Sequence, residues 1–161
     1  MSIQAEKINL IVKMILSIRK ALNNILSQIP VIVHHSATDR DTTTFEAIDR
    51  GHQNRGYPKS SLGYYCGYDY FIESDGKVTQ ARRELEPDFH TSAYQGLSIG
   101  ICLAGNFTFQ QPSEEQLKSL KELLETMKLR YNGKVSVHKD YYNTECCGKN
   151  LIKFVREYKR S

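Results

Sequence analysis

The sequence predicts an α/β fold: a mixed central β-sheet flanked by helices on both faces, with an extra N-terminal amphipathic helix. Three observations carry this. Apolar residues recur at spacings of three and four over residues 8–29 and 117–131, the period of a helix face. Short apolar runs bounded by turn residues lie at 31–35, 67–73, 97–104 and 135–138, the signature of buried strands. Strands and helices alternate along the chain, and one strand pair is joined by Ser74-Asp75-Gly76 as a hairpin.

Each element follows from its residues. Ile8, Ile11, Ile15, Ile18, Leu22, Ile25 and Ile29 form a heptad a/d stripe, with Lys7, Lys13, Arg19 and Lys20 off it. Pro30 stops this helix, because the residue before proline is pushed out of the α region. Val31 to His35 is the first strand. Thr43 and Glu46 form a capping box for a helix that carries Phe45, Ile48 and His52 on one face. Gly51, Gly56, Pro58 and Gly63 mark a long loop. Gly67–Glu73 and Lys77–Gln80 are the hairpin strands, and Leu97–Ala104 is a compact apolar strand. Ser113 and Gln116 cap a helix with Leu117, Leu120, Leu124, Met127 and Tyr131 on its stripe. Asn132-Gly133 turns the chain into the strand Val135–His138, and a last helix runs from about Lys149 to Tyr158. Residues 1–30 thus form a helix for oligomerisation or docking, and residues 31–161 form the main domain.

Composition narrows the function classes. At 161 residues, with 40% hydrophobic and 25% charged side chains, the chain is an ordinary globular protein of one main domain. It contains no apolar run of about 18 residues, so no membrane-spanning helix is expected. A net charge of +4 suits an anionic polymer but is too small to indicate nucleic acid. Cys66, Cys102, Cys146 and Cys147 do not form the framework of a small disulfide-rich domain, so synthesis in a reducing compartment is expected. Lys13 interrupts the apolar stretch Ile8–Leu16 and no small-residue cleavage site follows, so no signal peptide is expected.

Ligand-type side chains gather in three places: His34-His35, His90, and His138 with Cys146-Cys147. Imidazole and thiolate are zinc donors, and a catalytic zinc takes three protein ligands plus water. Successive strand side chains face opposite ways, so His34 and His35 do not both bind one ion. Val31 and Val33 share a face with His35, and Ile32 shares one with His34. Both faces are apolar, and periodicity does not choose between them. The residues alone leave two readings open: a metal site, or core cysteines with several unrelated histidines. Tyr68 sits in an aromatic run with Tyr64, Tyr65 and Tyr70, which strands favour on their own. Arg82 is equally suited to a structural ion pair and to a groove.

These pieces together resemble a known family. Ile32-Val33-His34-His35-Ser36-Ala37-Thr38 looks like the opening strand of the zinc-dependent N-acetylmuramoyl-L-alanine amidases, the group of phage-lysozyme-type amidases and peptidoglycan recognition proteins. Gly67-Tyr68-Asp69-Tyr70-Phe71-Ile72 with Ser74-Asp75-Gly76 resembles its GYHF-type strand and "DG" turn. Arg82 resembles the arginine of a "GR" step. His90 with Ser98-Ile99-Gly100-Ile101 resembles "H … SIGI", and His138-Lys139-Asp140 with Thr144, Cys146 and Gly148 resembles "HRD … T-x-C-P-G". The match spans roughly residues 31–155 and keeps the order of all five pieces.

The resemblance implies a zinc ion held by His34, His138 and Cys146. It implies Tyr68 and Thr144 as catalytic residues, and His90 and Arg82 as substrate-binding residues. The implied reaction is hydrolysis of the amide between N-acetylmuramic acid and L-alanine in peptidoglycan, as in an endolysin acting on the cell wall after release. The alternative is a peptidoglycan-binding module of the same fold that does not cleave. The chain departs from the pattern in three places: Cys147 replaces a proline, Asp69-Tyr70 replace His-Phe, and Gln95 replaces an asparagine. The N-terminal helix lies outside the resemblance. Its expected fates are a homo-oligomer through residues 1–29, docking on the domain, or a membrane surface.

Overall fold

The computed structural model describes residues 3–131 and 134–160, so the expected Asn132-Gly133 turn lies outside the described residues. The elements are α1 (Ile3–Leu26), β1 (Val31–His35), α2 (Phe45–Asn54), β2 (Tyr70–Ile72), β3 (Val78–Gln80), β4 (Ile99–Leu103), α3 (Glu114–Tyr131), β5 (Val135–Val137) and α4 (Lys149–Tyr158). Five strands form one sheet in the order β3-β2-β4-β1-β5. The β2–β3 hairpin is antiparallel and every other pair is parallel, so the sheet is mixed as expected.

Side-chain alternation divides the core into two layers. On one face Val31, Val33, Tyr70, Ile72, Ile99, Ile101 and Leu103 pack with Leu120, Leu124 and Met127 of α3 and Leu151 and Val155 of α4. On the other face Phe71 and Cys102 pack with Phe45 of α2, Cys66 and Ala104. Cys66 and Cys102 are core residues. The capping box of α3 is reciprocal: Gln116 N–H donates to Ser113 Oγ at 3.0 Å, and Ser113 N–H donates to Gln116 Oε1 at 3.1 Å. The cap of α2 falls one residue later than expected. Thr44 Oγ1 accepts from Ala47 N–H, while the Thr43 hydroxyl donates to Thr38 Oγ1.

The apolar stripe of α1 is present and faces solvent. Ile8, Ile11, Ile15, Ile18, Leu22 and Ile25 are each more than half exposed, while Leu26 at the helix end and Ile29 just beyond it join the core. The helix therefore does not dock along its length on the sheet.

His52, on the inner face of α2, is buried and stacks on Tyr57 with ring centroids 4.8 Å apart. Its Nδ1 accepts Gly67 N–H at 2.9 Å. Burial lowers its pKa from 6.5 to about 4. Below pH 6.5 the unfolded chain gains a proton that the folded chain refuses, so stability falls as pH drops from 6.5 toward 4. Thermal midpoints of the metal-free protein are expected to fall across that window, less steeply in His52→Gln. An equal slope in both proteins removes His52 from the acid response.

Candidate metal centre and groove

The parallel strands β2, β4, β1 and β5 all end on one edge of the sheet, the place where open α/β sheets position ligands. Register gathers the candidate donors there. Val33 pairs with Val137, so the next residues along the two strands, His34 and His138, are neighbours; their ring centroids lie 4.6 Å apart. His34 pairs with Cys102 and faces the α2 side, whereas His35 turns its Nδ1 the other way to accept Phe107 N–H at 3.2 Å. The loop after β5 returns Cys146 to the same point. Its Sγ lies 3.7 Å from His34 Nδ1, and the donor atoms of His34, His138 and Cys146 all fall within 4.8 Å of one another. Lys139 N–H donates to Cys146 O at 3.0 Å, and Cys146 N–H donates to Thr144 Oγ1 at 3.2 Å, which fixes the loop. Cys147 is fully buried in the apolar core beside α4 and faces away from this cluster.

The donor set fits zinc. Bonds of about 2.1 Å to nitrogen and 2.3 Å to sulfur in a tetrahedron put N and S roughly 3.6 Å apart, close to the 3.7 Å between His34 Nδ1 and Cys146 Sγ. Burial, then the neighbouring imidazoles of His90 and His138, holds His34 well below its ordinary pKa. Burial and His90 also lower His138. Both rings are thus neutral at pH 7, the form that binds a metal. Burial raises the Cys146 thiol to about 11, so its proton leaves only as a cation takes its place.

A groove of about 610 Å³ opens over this cluster, lined by His34, His138, Cys146, Tyr68 and Thr144 among others. The Tyr68 ring lies 5.3 Å from that of His34. Burial, with smaller effects from neighbouring thiols, pushes its phenol well above 10, so it is a hydrogen-bond donor at any working pH. The two expected substrate-binding residues are placed differently. Arg82 is enclosed and its guanidinium donates to three backbone carbonyls: Cys66 O at 2.6 Å, Pro58 O at 2.7 Å and Pro87 O at 3.0 Å. It ties these loops together. The His90 side chain is enclosed behind His34, and His90 is also among the residues along the groove wall.

Sequence reasoning missed part of the groove. Arg55 and Tyr57 reach it from the end of α2, and Asn106, Thr108 and Phe109 from the segment after β4. Phe109 is 81% exposed, an aromatic left in water at the rim. Its only sequence signal was its place just beyond Gly105. Glu145 also lines the groove, with its carboxylate on Lys139 Nζ at 2.8 Å.

The sequence profile of the family described as N-acetylmuramoyl-L-alanine amidase matches residues 29–149. The chain belongs to that family. Among related amidase-family proteins, an endolysin of Enterobacteria phage T3 is 31% identical over 128 residues, covering 72% of this chain and 78% of the phage protein. A peptidoglycan recognition protein of Trichoplusia ni is 28% identical over 133 residues, covering 80% and 73%. Among solved structures, the N-acetylmuramoyl-L-alanine amidase LysC from Clostridium intestinale superposes with a TM-score of 0.70 at 26% identity, covering 84% of this chain and 87% of that one. The amidase fold covers the sheet and groove, and the profile match begins only at Ile29, after α1.

Proposed function

We propose that this protein is a zinc-dependent N-acetylmuramoyl-L-alanine amidase that cleaves peptidoglycan, endolysin-like in its action on the cell wall. The observation that carries this reading is the convergence of His34, His138 and Cys146 at the floor of an open groove. Two imidazoles and a thiolate select zinc among common ions, and three protein donors leave a position for water. Bound zinc supplies Lewis acidity there, activating water and polarising the amide carbonyl.

The chain's own residues do the rest. The Tyr68 hydroxyl donates a hydrogen bond to the oxygen on which negative charge develops. Thr144 Oγ1 already accepts Cys146 N–H, so its own proton is free to donate to the same oxygen. Burial holds the Tyr68 proton in place, so the leaving amine takes its proton from groove water.

Mass spectrometry of peptidoglycan treated with the full chain tests this. Stem peptides with a free N-terminal L-alanine should be released, chelator should stop the release, and zinc should restore it. The protein is expected to hold about one zinc per chain. Binding to peptidoglycan with no release, in zinc-loaded protein, makes the chain a binding module of the same fold instead.

We also propose that α1 associates with further copies of itself. No helix among the described residues is long and apolar enough to cross a membrane. At 1.5 Å per residue the stripe from Ile8 to Ile25 runs about 26 Å, and isoleucine at both a and d favours trimers or tetramers. A parallel register sets Lys7 against Val12, Met14 against Arg19 and Ala21 against Leu26, so no like charges meet. Light scattering should find an oligomer that Ile11→Lys with Ile18→Lys reduces to monomers. A monomeric parent chain sinks the idea.

A further inference from the structure

The net charge of the chain is concentrated at one place. Residues 149–160 hold five basic side chains, Lys149, Lys153, Arg156, Lys159 and Arg160, against one acidic side chain, Glu157. That surplus of four equals the net charge of the whole chain, +4. Neither the metal centre nor the groove uses it.

The packing of α4 turns this charge outward. Leu151 and Val155 are fully buried in the core, and Ile152, Phe154 and Tyr158 pack against it. All five basic residues are exposed. Lys149, Lys153 and Arg156 follow at spacings of four and three, one per turn along a single face. Lys159, which caps the helix, and Arg160 continue the row to a length of about 16 Å. Lys134, exposed just before β5, adds a sixth cation near Lys159. Neutralisation is sparse. Asp140 pairs with Arg156. Among the described residues no ion pair joins Lys134, Lys149, Lys153, Lys159 or Arg160. Burial, then the like charges of Arg156 and Lys134, lowers the Lys159 ammonium, with Asp140 opposing them.

Helix physics accounts for only part of the row. Cations in the last turn suit the negative end of the helix dipole, which covers Arg156, Lys159 and Arg160. Lys149 stands at the positive end instead, and the first turn holds no acidic residue. Lys149 and Lys153 are also like charges four apart, a pairing that weakens a helix.

We infer that the basic face of α4, with Lys134, is a docking surface for a linear phosphodiester polymer of the cell wall, of the poly(glycerol phosphate) type. The choice of a wall polymer rests on the peptidoglycan reading above, while the row itself calls for a chain of anions. Cations one helical turn apart, about 5 Å, suit a single strand with one negative charge per repeat. Sites for single-stranded nucleic acid add aromatic side chains on which bases stack. Here Phe154 and Tyr158 pack on the core instead. An interfacial helix needs an apolar face to enter the lipid, and every apolar residue of α4 is spent on the core. The face also lies well for an amidase. α4 starts three residues after Cys146 and packs on the α3 side of the sheet, opposite Phe45 of α2. A polymer held there lies beside the groove without filling it and keeps the enzyme on the wall.

Binding of the full chain to purified poly(glycerol phosphate) tests this without any turnover. Affinity should weaken about 50-fold between 50 mM and 200 mM salt, the slope for about four phosphates neutralised on a single strand. Lys149→Gln, Lys153→Gln and Lys159→Gln together should lower affinity about 10–100-fold and flatten the salt dependence. The matched control is Lys118→Gln, Lys121→Gln and Lys128→Gln on the exposed face of α3, which should bind like the parent. Equal losses in the two triple variants reduce the effect to net charge and overturn the surface. Cleavage of a small soluble muropeptide should be unchanged in the α4 variant, while cleavage of intact walls that carry the polymer should fall. Tighter binding to phosphatidylglycerol vesicles, or to single-stranded DNA with the same number of phosphates, overturns the wall polymer as the partner. A parent chain that binds the polymer through α4 but cleaves nothing sinks the amidase reading alone. One that cleaves peptidoglycan but does not bind the polymer sinks the docking surface alone.

Discussion

Cys146→Ser is expected to abolish peptidoglycan cleavage and to lose zinc while leaving the fold in place. The substitution changes one atom, and its side chain points at the groove rather than into the core. A serine hydroxyl does not ionise under working conditions and is a poorer ligand for zinc than thiolate. The site would keep two neutral imidazoles, too few to hold the ion tightly. The drop in affinity should exceed the ~10–100-fold that an outer hydrogen-bonding partner costs. Cys147→Pro is the contrasting variant. Cys147 lies in the apolar core, and proline there restores the family pattern, so zinc and activity should both survive. Zinc retained in Cys146→Ser but lost in Cys147→Pro moves the ligand to the second cysteine.

The sheet was legible because strand and helix periods differ, and Ser74-Asp75-Gly76 announced the hairpin. The final helix lies at the predicted residues because its sequence has a clear start after Gly148. The Thr42-Thr43-Thr44 run blurred the start of α2, since three adjacent hydroxyls can cap and only the tertiary position of Thr38 draws Thr43 away. The choice between His34 and His35 was out of reach of periodicity, because both faces of β1 are buried. What decides it is the pairing of Val33 with Val137, a partner more than a hundred residues away. The same limit explains Arg82 and His90. Composition suggests that an arginine or a histidine near a groove is exposed. Enclosing them requires three loop carbonyls in one case and two aspartates in the other, and those partners come together only in the folded chain. The apolar stripe of α1 is legible in the sequence as far as Ile25, whereas Ile29 falls beyond the helix, which ends at Leu26, and the solvent-facing position of the stripe depends on what the rest of the chain leaves uncovered.

Tyr68→Phe should keep zinc and fold while lowering turnover by about 10²–10³, the cost of removing one oxyanion donor. Phenylalanine preserves the ring that lies 5.3 Å from His34, so packing over the metal site is retained. Only the hydroxyl is lost, and burial makes that hydroxyl a committed donor by holding its proton far above pH 10. A donor used only when charge develops on the carbonyl oxygen stabilises the transition state and not the bound substrate. Both kcat and kcat/KM should therefore fall together, with KM little changed. Thr144→Val gives a smaller loss if Thr144 shares the same oxygen, although it also removes the acceptor for Cys146 N–H and so weakens the loop. Zinc content separates the two effects: it should be unchanged in Tyr68→Phe and reduced in Thr144→Val. Turnover equal to the parent in Tyr68→Phe removes Tyr68 from the chemistry, and loss of zinc in that variant makes it a structural neighbour of the metal site instead.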